Sequence, residues 1–310
     1  MSLPGSRHER EAPLPEQARA GDAERRADAG DGERQPRQVR SNGVTLAVQD
    51  SGGGRPIVLA HGLTATRRYV LHGSRLLERA GYRIVAYDAR GHGQSSAAPS
   101  PGAYSYPDLV GDLKAVLDAL ELERPVLVGV SMGAATTLAL ALQQPERASA
   151  LVQITPAYTG VERDDRERVL RDWDSLADGL EHGGVDGFIA AYGEPPIEQR
   201  FQAIVVRAIR QRLERHEHPE AVAAALRAVP RSAPFGGIAD LERLALPTLV
   251  VASRDAADPG HPYAVAAAYA ERIPGAELVS EEEGKSPLAW RGAQLSRVIA
   301  AFLERHGLGP

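Results

Sequence analysis

From residue 39 onward, short apolar runs alternate with stretches that repeat apolar positions at helical spacing. Residues 44–49 (VTLAVQ) alternate apolar and polar, in the manner of an edge strand with one covered face. Residues 57–60 (IVLA), 83–87 (RIVAY), 126–130 (VLVGV), 150–154 (ALVQI) and 248–252 (TLVVA) are apolar almost throughout, as strands covered on both faces must be. A last strand is expected near 277–280. Helical spacing predicts helices near 69–80, 106–120, 132–144, 262–272 and 293–306, the first stopped by Gly81. Strands alternating with helices in this way predict an α/β fold, with a mostly parallel central sheet and helices on both faces.

Between residues 157 and 246 the strand rhythm stops, and helical segments at 166–180, 196–214 and 220–228 replace it. This block is expected to be an inserted helical cap, leaving 39–156 and 247–310 as the core. Arg207, Arg210, Arg212 and Arg215, interleaved with Glu214 and Glu217, could offer a surface to acidic substrates, but such a charge run is expected to be a solvated helix face. Residues 1–38 mix opposite charges with four prolines and little apolar surface beyond alanine, so they are expected to form a disordered tail.

Composition narrows the partners. The chain of 310 residues is 43% hydrophobic and 25% charged, with a formal charge of -5, which gives no basic face for nucleic acid or an anionic membrane. A small-molecule substrate is the expected partner. No run approaches the roughly 20 apolar residues of a membrane helix, and no apolar segment follows Arg25-Arg26 to make an export signal, so a cytoplasmic location is expected. The absence of cysteine removes thiolate chemistry. His216 and His218, two apart on a predicted helix, face different ways, and Gly52-Gly53-Gly54 lacks the Lys-Ser/Thr of a phosphate loop, so neither a metal nor a cofactor is expected.

The strongest local signal is Gly129-Val130-Ser131-Met132-Gly133, a G-x-S-x-G placed directly after an apolar strand and directly before a helix. Glycines allow the tight strand-to-helix turn, the serine hydroxyl is pushed out of it, and the following helix adds its amino-terminal partial positive charge. With this elbow, His61-Gly62 after the first central strand and the turn Asp88-Ala89-Arg90-Gly91-His92-Gly93-Gln94-Ser95, the chain resembles the α/β-hydrolase superfamily from residue 39 to its end. The resemblance implies the α/β-hydrolase fold, Ser131 as nucleophile and the backbone N–H groups of Leu63 and Met132 as an oxyanion hole. It also implies that His61 and His92 shape turns and do no proton transfer. Serine at the elbow argues against the dehalogenases and epoxide hydrolases of the superfamily, which displace with a carboxylate.

The resemblance places the triad acid in the turn after residues 248–252, which reads SRDAADPGHP. Asp258, four residues before Pro262, is favoured, and Asp255 is the alternative acid. Where the family carries G-H-x-P, this chain has Gly284-Lys285-Ser286-Pro287, so Lys285 stands at the expected histidine position. A lysine with pKa about 10 is a poor proton acceptor at neutral pH. Three readings follow: a serine hydrolase whose base comes from elsewhere, with His261 of the acid loop requiring a rearranged course; a Ser-Lys arrangement; or a binding protein or lyase-like enzyme with Lys285 paired to Asp258. The leading expectation is a hydrolase of ester or related acyl bonds. Of the 36 basic residues 34 are arginine and only Lys114 and Lys285 are lysine, which gives the Ser-Lys reading its one support, because only an ammonium can lose its proton in a protein.

Overall fold

The computed structural model describes residues 35–160, 166–255, 258–281 and 290–310. Its sheet is built from β1 (Arg37–Ser41), β2 (Val44–Ser51), β3 (Pro56–Ala60), β4 (Arg83–Tyr87), β5 (Val126–Val130), β6 (Ala150–Ile154), β7 (Thr248–Ala252) and β8 (Glu277–Ser280). The spatial order is β1-β2-β4-β3-β5-β6-β7-β8. The first two pairings, β1 with β2 and β2 with β4, are antiparallel, and every pairing from β4 to β8 is parallel.

The central strands show why their sequences are apolar on both faces. Ile57, Leu59, Val126, Val128, Ala150, Val152, Leu249 and Val251 pack on one side, with Leu295, Ile299, Phe302 and Leu303 of α8 (Gly292–Arg305). Val58, Ala60, Leu127, Leu151 and Val250 point to the other, against Val110, Leu113 and Leu117 of α2 (Tyr106–Ala119) and Leu138 of α3 (Met132–Gln143). Two layers of helix therefore cover the sheet, and the alternate residues of each central strand feed two separate cores. α7 (Tyr263–Arg272) adds Ala266 and Tyr269 to the second.

Three expectations are corrected. The strand at 44–49 is not the sheet edge, because β1 pairs along it in register from Arg37 opposite Val48 to Ser41 opposite Val44. The expected tail boundary at residue 38 cuts into that strand; residues 1–34 of the tail lie outside the described residues. The helix expected over 69–80 is a 3₁₀ turn at Arg67–Tyr69 followed by the short α1 (Leu76–Arg79), because His72 (φ 46°) and Gly73 (φ 73°) take left-handed backbone between them.

Between β6 and β7 run α4 (Arg166–Tyr192), α5 (Gln199–Leu213) and α6 (Pro219–Ala228). α4 is interrupted at Gly184 (φ 59°, ψ −150°), and a Cβ on Gly179 would come within 2.5 Å of the Gly187 carbonyl, so the two parts of α4 approach through bare glycine backbone. Ala177, Leu180, Phe188, Val205, Ile209 and Val222 of these helices form a core of their own with Leu63, Ala89, Tyr104 and Met132. That core lies over the loops at the carboxyl ends of β3, β4 and β5, where open α/β sheets place their ligands.

Candidate active site

The elbow is strained where its motif requires it. Ser131 has φ 52° and ψ −109°, a conformation that L-residues avoid, and it is fixed by its own N–H donated to the Ile154 carbonyl (3.0 Å) and by its carbonyl accepting from Ala135 N–H (3.0 Å). A Cβ on Gly129 would stand 2.3 Å from the Gly133 carbonyl oxygen, and one on Gly133 would stand 2.1 Å from the Ala60 carbonyl oxygen. Both contacts are with backbone, which cannot swing away. The glycines are thus what lets α3 start this close to β3 and β5 and lift the Ser131 hydroxyl above the sheet.

That hydroxyl meets His261. His261 Nε2 lies 2.7 Å from Ser131 Oγ, and its Nδ1 lies 2.8 Å from each carboxylate oxygen of Asp258. The loop folds into a turn in which His261 donates its N–H to the Asp258 carbonyl (3.2 Å), so the acid and the imidazole face each other three residues apart. A carboxylate can only accept, so Nδ1 carries its proton and Nε2 is left free to receive one from serine. Burial pushes the Asp258 carboxyl up, but the contact with His261 and the charge of Arg212 outweigh it and hold the group below its ordinary range. Asp255, the alternative acid, donates its N–H to Ser253 Oγ (3.1 Å) and lends its carbonyl to Asp258 N–H (3.1 Å); the carboxylate against the imidazole is that of Asp258. Lys285 lies outside the described residues.

Leu63 and Met132 flank the serine, and both are buried. The Leu63 carbonyl is engaged by His92 Nε2 (2.7 Å), while Met132 opens the first turn of α3, so its N–H has no partner within the helix. Gly62 keeps the passage narrow, since a Cβ there would lie 3.6 Å from Ser131 Cβ.

Beneath this loop lie three imidazoles. His61 and His92 have ring centroids 5.2 Å apart, and His92 and His216 are 5.4 Å apart. His61 Nε2 accepts from Ala89 N–H (2.9 Å) and His216 Nδ1 from Gly93 N–H (2.9 Å), which requires both rings to be neutral. Burial, reinforced by His92, pushes each down to about 3. None of the three approaches Ser131 as His261 does: they tie the turns at His61, His92 and the end of α5 into one block through backbone groups. Asp88 anchors the same block, accepting from Arg67 N–H (2.8 Å) and Gln94 N–H (3.0 Å) and pairing with the Arg67 guanidinium.

Two residues of the site go beyond the sequence expectations. His261 is expected there only as a base that needs a rearranged loop; the signal that favours it is Asp-x-x-His followed by a helix, together with lysine at residue 285. Arg212 was grouped with a solvated face, and it departs from that expectation. Arg210 does pair on the surface with Asp186 and Glu214, but Arg212 turns its Nε into the protein, where it finds no acceptor among the described residues.

A family model described as alpha/beta hydrolase fold matches residues 55–290. A putative 2-succinyl-6-hydroxy-2,4-cyclohexadiene-1-carboxylate synthase from Bacillus subtilis is 33% identical over 161 residues, 51% of this chain and 57% of that protein. Epoxide hydrolase 2 of Siraitia grosvenorii is 34% identical over 117 residues, 38% of this chain and 37% of its own length. The chain therefore spans between about a third and somewhat over half of these curated relatives. Among solved structures, a hydrolase from Pseudomonas aeruginosa superposes with TM-score 0.70 at 26% identity, covering 88% of this chain and 99% of that one. A thermophilic esterase from Thermogutta terrifontis also gives 0.70, at 24% identity over 89% of this chain and all of that one, and shows likeness of fold.

Proposed function

Given that the chain belongs to the alpha/beta hydrolase fold family, we propose that it is a hydrolase of ester or related acyl bonds that uses Ser131 as nucleophile, His261 as general base and Asp258 as the acid that orients it. The observation that carries this reading is the unbroken row of hydrogen-bond distances from Asp258 through His261 to Ser131 Oγ, 2.8 and 2.7 Å. It favours the first of the three readings of Lys285, in which the base comes from the acid loop.

The chemistry then runs as follows. His261 Nε2 takes the Ser131 hydroxyl proton as Oγ attacks the acyl carbon, and the carbonyl oxygen becomes an oxyanion. The N–H groups of Leu63 and Met132, with the amino-terminal end of α3, are the donors on hand to hold that charge. The imidazolium, steadied by Asp258, passes its proton to the departing alcohol oxygen as the acyl C–O bond breaks. Water repeats the sequence on the acyl-serine, giving the free acid and restoring the hydroxyl. Helices α4 to α6 act as a cap that closes the site from above, and their apolar core with Leu63 and Met132 supports that role.

The partial matches to epoxide hydrolases are read as kinship of the core, because this chain offers a hydroxyl at the elbow and no carboxylate there. The test is a fluorophosphonate probe at pH 7 followed by mass spectrometry of the peptide bearing Ser131. Labelling within minutes is expected. A Ser131 that stays unlabelled while the protein is folded would exclude the proposed activity.

A further inference from the structure

Arg212 is a partly buried cation whose charge is countered at a distance by Asp258 but whose Nε has no hydrogen-bond acceptor among the described residues. It sits at the carboxyl end of α5, next to Gln211, whose carbonyl accepts from Tyr69 Oη (2.9 Å), and four residues before His216, whose Nε2 faces the Thr64 carbonyl (3.3 Å). Glu217 N–H adds a bond to the Gly93 carbonyl (2.9 Å). These contacts hold the end of α5 against the loops beside Leu63, so Arg212 stands on a fixed piece of backbone, near enough to Asp258 for the two charges to act on each other. Its Nε is enclosed without a hydrogen bond among the described residues. Burial lowers its pKa, and the groups that counter this are Asp258, Tyr192 and Tyr69.

A guanidinium left partly desolvated without an acceptor is costly, and such groups persist where a ligand completes them. Asp258 acts on Arg212 through charge, while its carboxylate faces His261 Nδ1 and the Arg212 Nε stays without an acceptor. Resting on the hydrolase reading above, we propose that Arg212 is the anchor for a carboxylate carried by the substrate, so that the preferred substrates are esters with a second, ionised carboxyl group. A planar fork matches a carboxylate with two parallel N–H···O bonds. With Asp258 already within range of its charge, a single guanidinium suits a singly charged group better than a phosphate dianion.

The test compares monoethyl adipate with ethyl hexanoate, in the wild type and in the Arg212→Met and Arg212→Lys proteins, by following acid release, together with calorimetric titration of adipate. The wild type is expected to favour the anionic ester at least about tenfold in kcat/KM, one good charge-assisted contact being worth that much. Arg212→Met should remove that preference chiefly by raising KM for the anionic ester, and should abolish adipate binding; Arg212→Lys should recover part of both. Equal rates for the two esters in the wild type would overturn the proposal, as would an Arg212→Met loss of the same size on both esters, which would make Arg212 a support for Asp258. If neither ester is cleaved but adipate binds and Arg212→Met abolishes the binding, the carboxylate site stands and the hydrolase reading falls.

Discussion

Replacing His261 by alanine removes the only group that the described structure places at hydrogen-bond distance from both Ser131 Oγ and a carboxylate. Proton removal by a positioned base is worth about 10² to 10⁴ in rate, or about 3 to 5 kcal/mol of transition-state stabilisation. At 2.7 Å from Oγ, with its tautomer fixed by Asp258, His261 has the geometry for at least the middle of that range. His261→Ala is therefore expected to lower kcat for 4-nitrophenyl acetate by about 10³, with KM little changed, because the lost contact acts in the transition state. The imidazole is partly exposed and packs in no core cluster, so the thermal midpoint should move by only a few degrees. The assay is a pH–rate profile from 6 to 10 for the wild type, His261→Ala, Ser131→Ala and the double variant. Residues that act as one unit lose their effect together, so the double variant should be no slower than Ser131→Ala alone. Lys285→Met run in parallel decides between bases. A His261→Ala protein that keeps its activity, with a rate that climbs toward alkaline pH and disappears on Lys285→Met, would refute the assignment and restore the Ser-Lys reading.

Gly133→Ala drives a Cβ to 2.1 Å from the Ala60 carbonyl oxygen in a central strand, so it is expected to cost at least the upper part of the 1 to 3 kcal/mol typical of overpacking, read as a fall of several degrees in the thermal midpoint; an unchanged midpoint would mean that α3 starts farther from β3 than described. Stability should also fall on acidification before the carboxylates titrate. His61 and His216 fold with values of about 3 against an ordinary 6.5, so between those limits the unfolded chain binds more protons. Their contribution is complete above pH 6.5 and declines by up to about 1.4 kcal/mol per pH unit for each ring as the pH drops toward 3. Denaturant midpoints at pH 7, 6 and 5 check it, and a flat profile over that range would mean that these rings are not buried neutral.

The interior of the sheet was legible because a strand covered on both faces must be apolar at every position, which few other elements require. β1 was not: RQVRS offers one core side chain, Val39, and its place is given by pairing with β2, a tertiary fact. The same holds for α4 beyond residue 180, where glycines at 183, 184 and 187 lower helix propensity, yet Phe188 is buried in the core that these helices share. At the site, Ser131 was legible because its backbone geometry demands glycines at fixed offsets. His261 was not, because a residue's neighbour three positions on is spatially useful only if the loop turns, and the turn from Asp258 to His261 is set by how the loop docks. Arg212 was hidden for a related reason: composition reads it as one of a run, and only the approach of the end of α5 to the Thr64 carbonyl and the Tyr69 hydroxyl separates it from Arg210.

The proposed triad puts acid and base on one turn, which changes what the site depends on. Where acid and base come from separate loops, two segments must each find the serine; here the Asp258–His261 pair forms locally, and a single long-range contact, His261 to Ser131 across 130 residues, remains to be made. The loop that makes it is held at its base by groups outside the triad. Glu281, buried after β8, accepts from Ser253 Oγ (2.9 Å) and from Arg254 N–H, and the Arg254 guanidinium lies 3.8 Å above the Tyr263 ring at the start of α7. Trp290 Nε1 donates to the Ala252 carbonyl at the end of β7 (2.7 Å). The loop thus leaves the sheet from a fixed strand end and re-enters structure through Pro262, whose extended backbone caps α7 (φ −60°, ψ 136°). Pinned ends lower the entropy cost of holding the His261 imidazole against the serine. On the proposed reading the base comes from the acid's loop, whose ends these contacts fix, so proton removal from Ser131 does not require a histidine at residue 285.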